Sequence, residues 1–203
     1  MQALTGLERA LSRVQRLIDA HGTLHGGGRG RPQQQAADVL RGAVVLGVAA
    51  LDAFVMDVFI EAIPPLVKQG RLGNEAHTLV DSKGLLHAVG AADPPGELAR
   101  LASLQYARTT FQRSSAIESH LRRFLGFTPD WTQVASRLKS ASADDAKKQL
   151  DGFVERRNQI AHAGDVPPGT TKASAISRPY VERCLRTVKV TAEVIDSGLD
   201  AYI

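Results

Sequence analysis

Apolar residues recur at three- and four-residue intervals from the start of the chain. Leu4, Leu7, Leu11, Val14, Leu17 and Ile18 form one series, and Arg9, Arg13 and Arg16 share another face. That period predicts an amphipathic helix over residues 1–20. Residues 21–35 (HGTLHGGGRGRPQQQ) offer almost nothing to bury, so a Gly-rich loop is expected there. Residues 36–63 are apolar around most of a helical circumference, as befits a central helix, which Pro64 and Pro65 are expected to end. A weaker helical pattern covers 75–89, and Asp93-Pro94-Pro95-Gly96 interrupts it. Residues 97–110 and 115–125 read as two helices or as one broken near Arg113, and 131–138 as a short one. The next helix covers 144–162, with Ala146, Leu150, Phe153, Val154, Ile160 and Ala161 inward, and Gly164 is placed to end it. After a loop at 165–177, residues 178–202 close the chain, with Pro179 acceptable in a first turn. The expected architecture is all-α: a bundle of about five main helices in one domain over 1–203, whose core is 36–203.

Composition supports the helical reading. Apolar residues make up 43% of the 203, yet aromatics only 5%, a balance that suits helix-on-helix packing better than a sheet. A formal charge of +4 permits an anionic partner without requiring one. With Cys184 as the sole cysteine, no intrachain disulfide can form, and the cytoplasm is the expected location. The apolar run at 36–67 contains Asp52 and Asp57. Each carboxylate would cost about 2.5–3.5 kcal/mol at the centre of a bilayer, so a buried helix is expected rather than a membrane span. Residues 1–17 carry Glu8 and lack the pattern of a secretory leader.

The segment FVERRNQIAHAGD, residues 153–165, is the least generic part of the chain. An arginine four to six residues before a histidine means little alone, since it recurs at Arg16/His21, Arg71/His77 and Arg113/His120. The context is narrower: Asn158 follows Arg157 directly, although asparagine is a poor helix-interior residue, and His162 sits just before the helix-ending glycine. On a helix, Asn158 and His162 lie about 40° apart and share a face, whereas Arg157 and His162 lie about 140° apart. One copy does not focus both on a point; a second copy facing it supplies the missing group, which suits a two-fold dimer. Histidine exchanges protons near neutral pH, and the guanidinium groups of Arg156 and Arg157 match phosphate oxygens. Together these groups suit metal-independent RNA cleavage. His162 would handle the proton of the ribose 2′-OH or of the leaving 5′-oxygen, and Arg157 would stabilise the pentacoordinate phosphorus. Asn158 would orient the histidine or a ribose hydroxyl, and Arg156 would bind substrate phosphate.

The stretch RRNQIAH resembles the RNxxxH motif of HEPN-domain proteins. VLGVAALDAFVMDVF (45–59), FQRSSAIESHLRRFLGF (111–127), Trp131 and the closing helix extend the similarity toward the RiboL-PSP-associated HEPN group. The resemblance implies a helical bundle, a homodimer through the motif-bearing helices, and ribonuclease activity in many members. Other members are non-catalytic modules that bind RNA, a nucleotide or a protein. It also implies a setting in toxin–antitoxin or antiviral defence, with an antitoxin or other defence-system partner. Arg157, Asn158 and His162 fall on the motif positions. Asp52 falls on an acidic or polar position of the second helix that faces the site in some members. The Gly-rich insert at 21–35 is not part of that pattern.

Each residue also has a structural reading. Asn158 can be a packing or capping residue, and Asp52 a buried acid that fixes helix packing rather than a supporting group. His21 and His25 lack a third ligand and a secure helix, and no metal or cofactor is assigned. Arg29 and Arg31 are read as mobile basic loop residues, and Trp131 as a packing anchor.

Overall fold

The computed structural model describes residues 2–24 and 34–203, and among these there are eight α-helices and no strand. They are α1 (Gln2–Leu24), α2 (Gln34–Lys68), α3 (Ser82–Val89), α4 (Pro94–Tyr106), α5 (Ser114–Leu125), α6 (Trp131–Leu138), α7 (Ala143–Ala163) and α8 (Arg178–Tyr202). A 3-10 turn, Ala76–Thr78, precedes α3. The all-helical expectation holds, with more and shorter pieces than about five.

Helix α2 is the axis of the bundle, and α1, α4, α5, α7 and α8 all pack on it. Its fully buried side chains include Leu40, Leu51, Phe54, Phe59, Ile63 and Leu66, each of which stabilises the fold by roughly 1.5–3 kcal/mol on burial. Where α8 crosses, a Cβ on Gly47 would come within 2.6 Å of the Leu185 side chain, so a side chain there would require Leu185 to move. The apolar helix Gln34–Lys68 is long enough to cross a membrane, but 56% of its most apolar window is buried in the bundle.

Several boundaries differ from expectation: α3 starts at Ser82 rather than 75, and α4 starts at Pro94, inside the expected break, and ends at Tyr106 rather than 110. Helix α1 runs to Leu24 rather than stopping at residue 20, because His21 is buried and continues the inward face of Val14 and Ile18. Helix α2 begins at Gln34, so the expected loop is helical at both described ends; His25, Arg29 and Arg31 lie outside the described residues. Pro64 and Pro65 do not end α2, which continues to Lys68. Leu66 is fully buried in that last turn, and its packing offsets the two backbone bonds that the prolines remove. The stretch 107–113 separates α4 from α5, so the two-helix alternative holds.

Candidate functional site

Helix α7 carries the motif. Ser142 caps its start by accepting from the Asp145 amide, and Asp144 and Asp145 complement the first-turn dipole. Ala146, Leu150, Phe153 and Val154 are buried, as expected; Ile160 is only partly buried, and Ala161, expected inward, is exposed. The inward stripe continues geometrically to Arg157, which is half-buried, and to Ala161, which is exposed. Gly164 ends the helix in the left-handed conformation (φ 59°), its amide donating to the Ile160 carbonyl at 3.1 Å.

A second stripe of α7 consists of Asp151, Glu155, Asn158 and His162, spaced four, three and four residues apart and within about 60° of one another. Its first half is used structurally. The Asp151 carboxylate accepts from the Ser114 amide at 2.7 Å and from its hydroxyl at 3.0 Å, and so caps α5 from outside; Glu155 pairs with Arg113 at 2.7 Å. The second half, Asn158 and His162, runs on beyond α5. His162 is exposed and, among the described residues, makes no hydrogen bond or ion pair.

Arg156 and Arg157 are adjacent and differently employed. The Asp165 carboxylate is inaccessible to solvent and held between two arginines. Arg41 Nε donates to it at 2.9 Å and Arg156 Nη2 at 2.8 Å, while Arg156 Nε makes an ionic contact at 2.7 Å outside hydrogen-bond geometry. Arg41 also pairs with Asp38 at 2.8 Å and donates to the Ser174 carbonyl at 2.8 Å; Arg156 donates to the Ala175 carbonyl at 3.0 Å. Two arginines against two carboxylates leave that cluster neutral, so the guanidinium expected to bind substrate phosphate has an internal use instead. Arg157, by contrast, is half-buried with no carboxylate partner among the described residues. Its Nη1 donates to Asn158 Oδ1 at 3.0 Å, and its Nε is buried without an acceptor.

Asp52 makes no bond to the motif residues. Its carboxylate accepts from the Phe111 amide at 2.5 Å and from the Gln112 side chain at 3.0 Å, which holds the chain just ahead of the α5 start that rests on Asp151 and Glu155. Its support for α7 is therefore indirect. Cys184 is buried, and burial pushes its thiol up to about 12, which leaves it protonated near neutral pH. Among the described residues no group of three or more His, Cys, Asp or Glu is gathered to hold a metal.

The Arg41–Asp165–Arg156 cluster was not visible in the sequence. Gly164 turns the chain so that Asp165 points back at its own helix and across to α2, and only the unusual φ of Asp165 (65°) marks the place. Beside it lies a groove of about 790 Å3, lined by Asp38, Arg41, Gly164, Lys172, Ser174 and Ile176 among others.

An all-helical bundle is the fold class of HEPN domains. The chain belongs to the RiboL-PSP-HEPN family, whose model matches residues 8–201. No curated protein and no solved structure gives a match.

Proposed function

We propose that the protein is a metal-independent endoribonuclease of HEPN type, acting as a homodimer in the cytoplasm within a toxin–antitoxin or antiviral defence system. The observation that carries the reading is Arg157: among the described residues a half-buried guanidinium that no carboxylate neutralises, on the same helix end as an imidazole without a partner. A desolvated cation left without an acid keeps its affinity for an anion, and phosphate is the anion that a guanidinium fits best.

In the proposed reaction one His162 imidazole removes the ribose 2′-OH proton as the 2′-oxygen attacks phosphorus. Arg157 of the second copy stabilises the charge on the phosphorane oxygens, and the imidazolium so formed returns its proton to the departing 5′-oxygen. The bond formed is 2′-O–P and the bond broken is P–O5′, which leaves a 2′,3′-cyclic phosphate and a 5′-hydroxyl. Asn158 holds Arg157 through its side-chain oxygen. Arg156, tied to Asp165, stabilises the site's frame.

The dimer is supported by the uncovered stripes. On α7 the inward line ends open at Arg157 and Ala161. On α2, Val39, Gly42, Leu46, Ala49, Ala53, Met56 and Ile60 alternate three and four apart and are all partly or largely exposed; Leu46 is 50% accessible. That stripe lies about 100° round α2 from the flank of Arg41 and Asp52, and Arg41 meets the end of α7. Apolar residues at this spacing form the seam of paired helices.

The test is cleavage of tRNA and of a plain oligonucleotide by parent and His162→Ala proteins, with end-group analysis. The expected result is cyclic-phosphate and 5′-hydroxyl ends, undiminished by EDTA, and their loss in the variant. Equal cleavage by His162→Ala removes the catalytic claim. Tight RNA binding by the parent without product marks a binding module instead.

A further inference from the structure

We infer that Asp165, bridged by Arg41 and Arg156, is a positioning residue for His162: a buried latch that sets the last turn of α7 and thereby the imidazole. His162 lies one residue before the helix ends at Ala163, in the turn where backbone carbonyls lose their intrahelical partners and helices fray. Here the chain recovers those partners through Asp165. The Asp165 amide donates to the Gln159 carbonyl at 3.1 Å, and its own carbonyl accepts from the Ser174 amide at 2.8 Å. Its carboxylate, fully buried, ties the same turn to Arg156 two and a half turns back and to Arg41 on α2. Asp165 holds a left-handed φ of 65°, which costs a residue with a Cβ about 1–2 kcal/mol. A strained backbone of this kind persists only where its surroundings over-determine it. Among the described residues the exposed imidazole has no side-chain partner to aim it, so the backbone of this turn is what orients it.

The kinetic consequence rests on the ribonuclease reading; the structural one does not. The experiment compares the full-length parent, Asp165→Asn and Arg41→Met, well below the melting temperature of each. Asparagine tolerates the left-handed conformation, so Asp165→Asn removes the charge while sparing the turn. Arg41→Met leaves the Arg156–Asp165 pair in place and decides the matter should Asp165→Asn not fold. Expected is a fall in kcat of about 10- to 100-fold in Asp165→Asn, the effect of a catalytic group displaced by about 1 Å. The fall in Arg41→Met is smaller, and KM changes in neither, the pattern of an interaction felt in the transition state. The His162 imidazole resonances, assigned by their loss in His162→Ala, shift or broaden in Asp165→Asn. A lowered melting temperature with kcat and the His162 resonances both unchanged would make the bridge purely structural and overturn the inference. If the parent cleaves no RNA, the ribonuclease reading falls, and the resonances alone judge the latch: unmoved signals overturn it.

Discussion

Arg157 differs from Arg41 and Arg156 in what it lacks. Arg41 and Arg156 converge on one carboxylate, whereas among the described residues Arg157 bonds only to the Asn158 amide oxygen, a neutral acceptor. A guanidinium that bridges two phosphate oxygens with parallel donors cannot be replaced by the point charge of an ammonium. Arg157→Lys is therefore expected to lower kcat by about 100-fold or more, the scale of losing one preorganised donor to a developing oxyanion, while preserving the fold. A composite site makes a second outcome specific. Arg157→Ala and His162→Ala proteins, each inactive alone, should regain about a quarter of parental activity when mixed and allowed to exchange subunits, because half the dimers then carry one intact site. No recovery in a mixture shown to contain heterodimers would place both groups of a site on one chain. The two adjacent arginines also mark where sequence reading stops. Both were candidates for phosphate, Arg157 on the motif position and Arg156 beside it, and the letters do not show which of them meets a carboxylate. Only the reversal at Gly164, which carries Asp165 to Arg156 and not to Arg157, decides their uses.

At the scale of the element, α2 holds two faces of different fate. The face centred on Leu40, Leu51, Phe54 and Val58 is buried, and the opposite one, through Leu46 and Ala53, is not. A substitution at Leu46 separates a decorative apolar residue from a contact. In a monomer, Leu46→Lys alters a half-exposed position and changes stability by about 0.5 kcal/mol. Between two copies it places a charge in an apolar seam. The expected result is a shift in light scattering from twice the chain mass to the 21.8 kDa monomer, with loss of RNA cleavage and an unchanged melting profile in dilute solution. A Leu46→Lys protein that remains dimeric and active would move the interface elsewhere. This helix also shows how much of the fold was legible. Its apolar residues around most of the circumference announced the bundle's axis, and the helix expected over 144–162, with Gly164 to end it, is found as Ala143–Ala163. What failed was local grammar overruled by packing: two prolines carried through by buried Leu66, and α1 prolonged by buried His21. Ala161 failed for the opposite reason, since its spacing is that of a core position and no partner element reaches it within one chain.

Across the whole molecule, one imidazole connects acidity to the packing of several elements. His120 on α5 is buried against Phe59 of α2, Tyr106 of α4, Phe111 of the connecting segment and Phe124, with ring centroids 4.2–5.0 Å away. Its Nε2 has no acceptor. Burial, and secondarily the neighbouring Arg123 charge, lower its pKa to about 4. Above the unfolded value near 6.5 the imidazole is neutral in both states and contributes no pH dependence. As pH falls from there toward 4 the unfolded chain takes up the proton first, so stability declines; below 4 the folded state is protonated too and the decline levels off. The loss amounts to at most about 3 kcal/mol, a large part of the margin of an ordinary domain. Other groups act in or below this window. Asp57 and Asp196, raised chiefly by burial, oppose the decline, while Glu75, lowered by its hydrogen bond from Arg123, adds its own loss at more acidic pH. His120→Phe keeps a ring in the cluster and leaves those carboxylates in place, so subtracting the parent's acid profile isolates the imidazole. Urea unfolding at pH 7 and at pH 4.5 should show the parent losing more stability than the variant between the two. Equal losses would mean that His120 takes a proton within the fold as readily as in the unfolded chain, and the aromatic junction of α2, α4 and α5 would then have to open to water without unfolding.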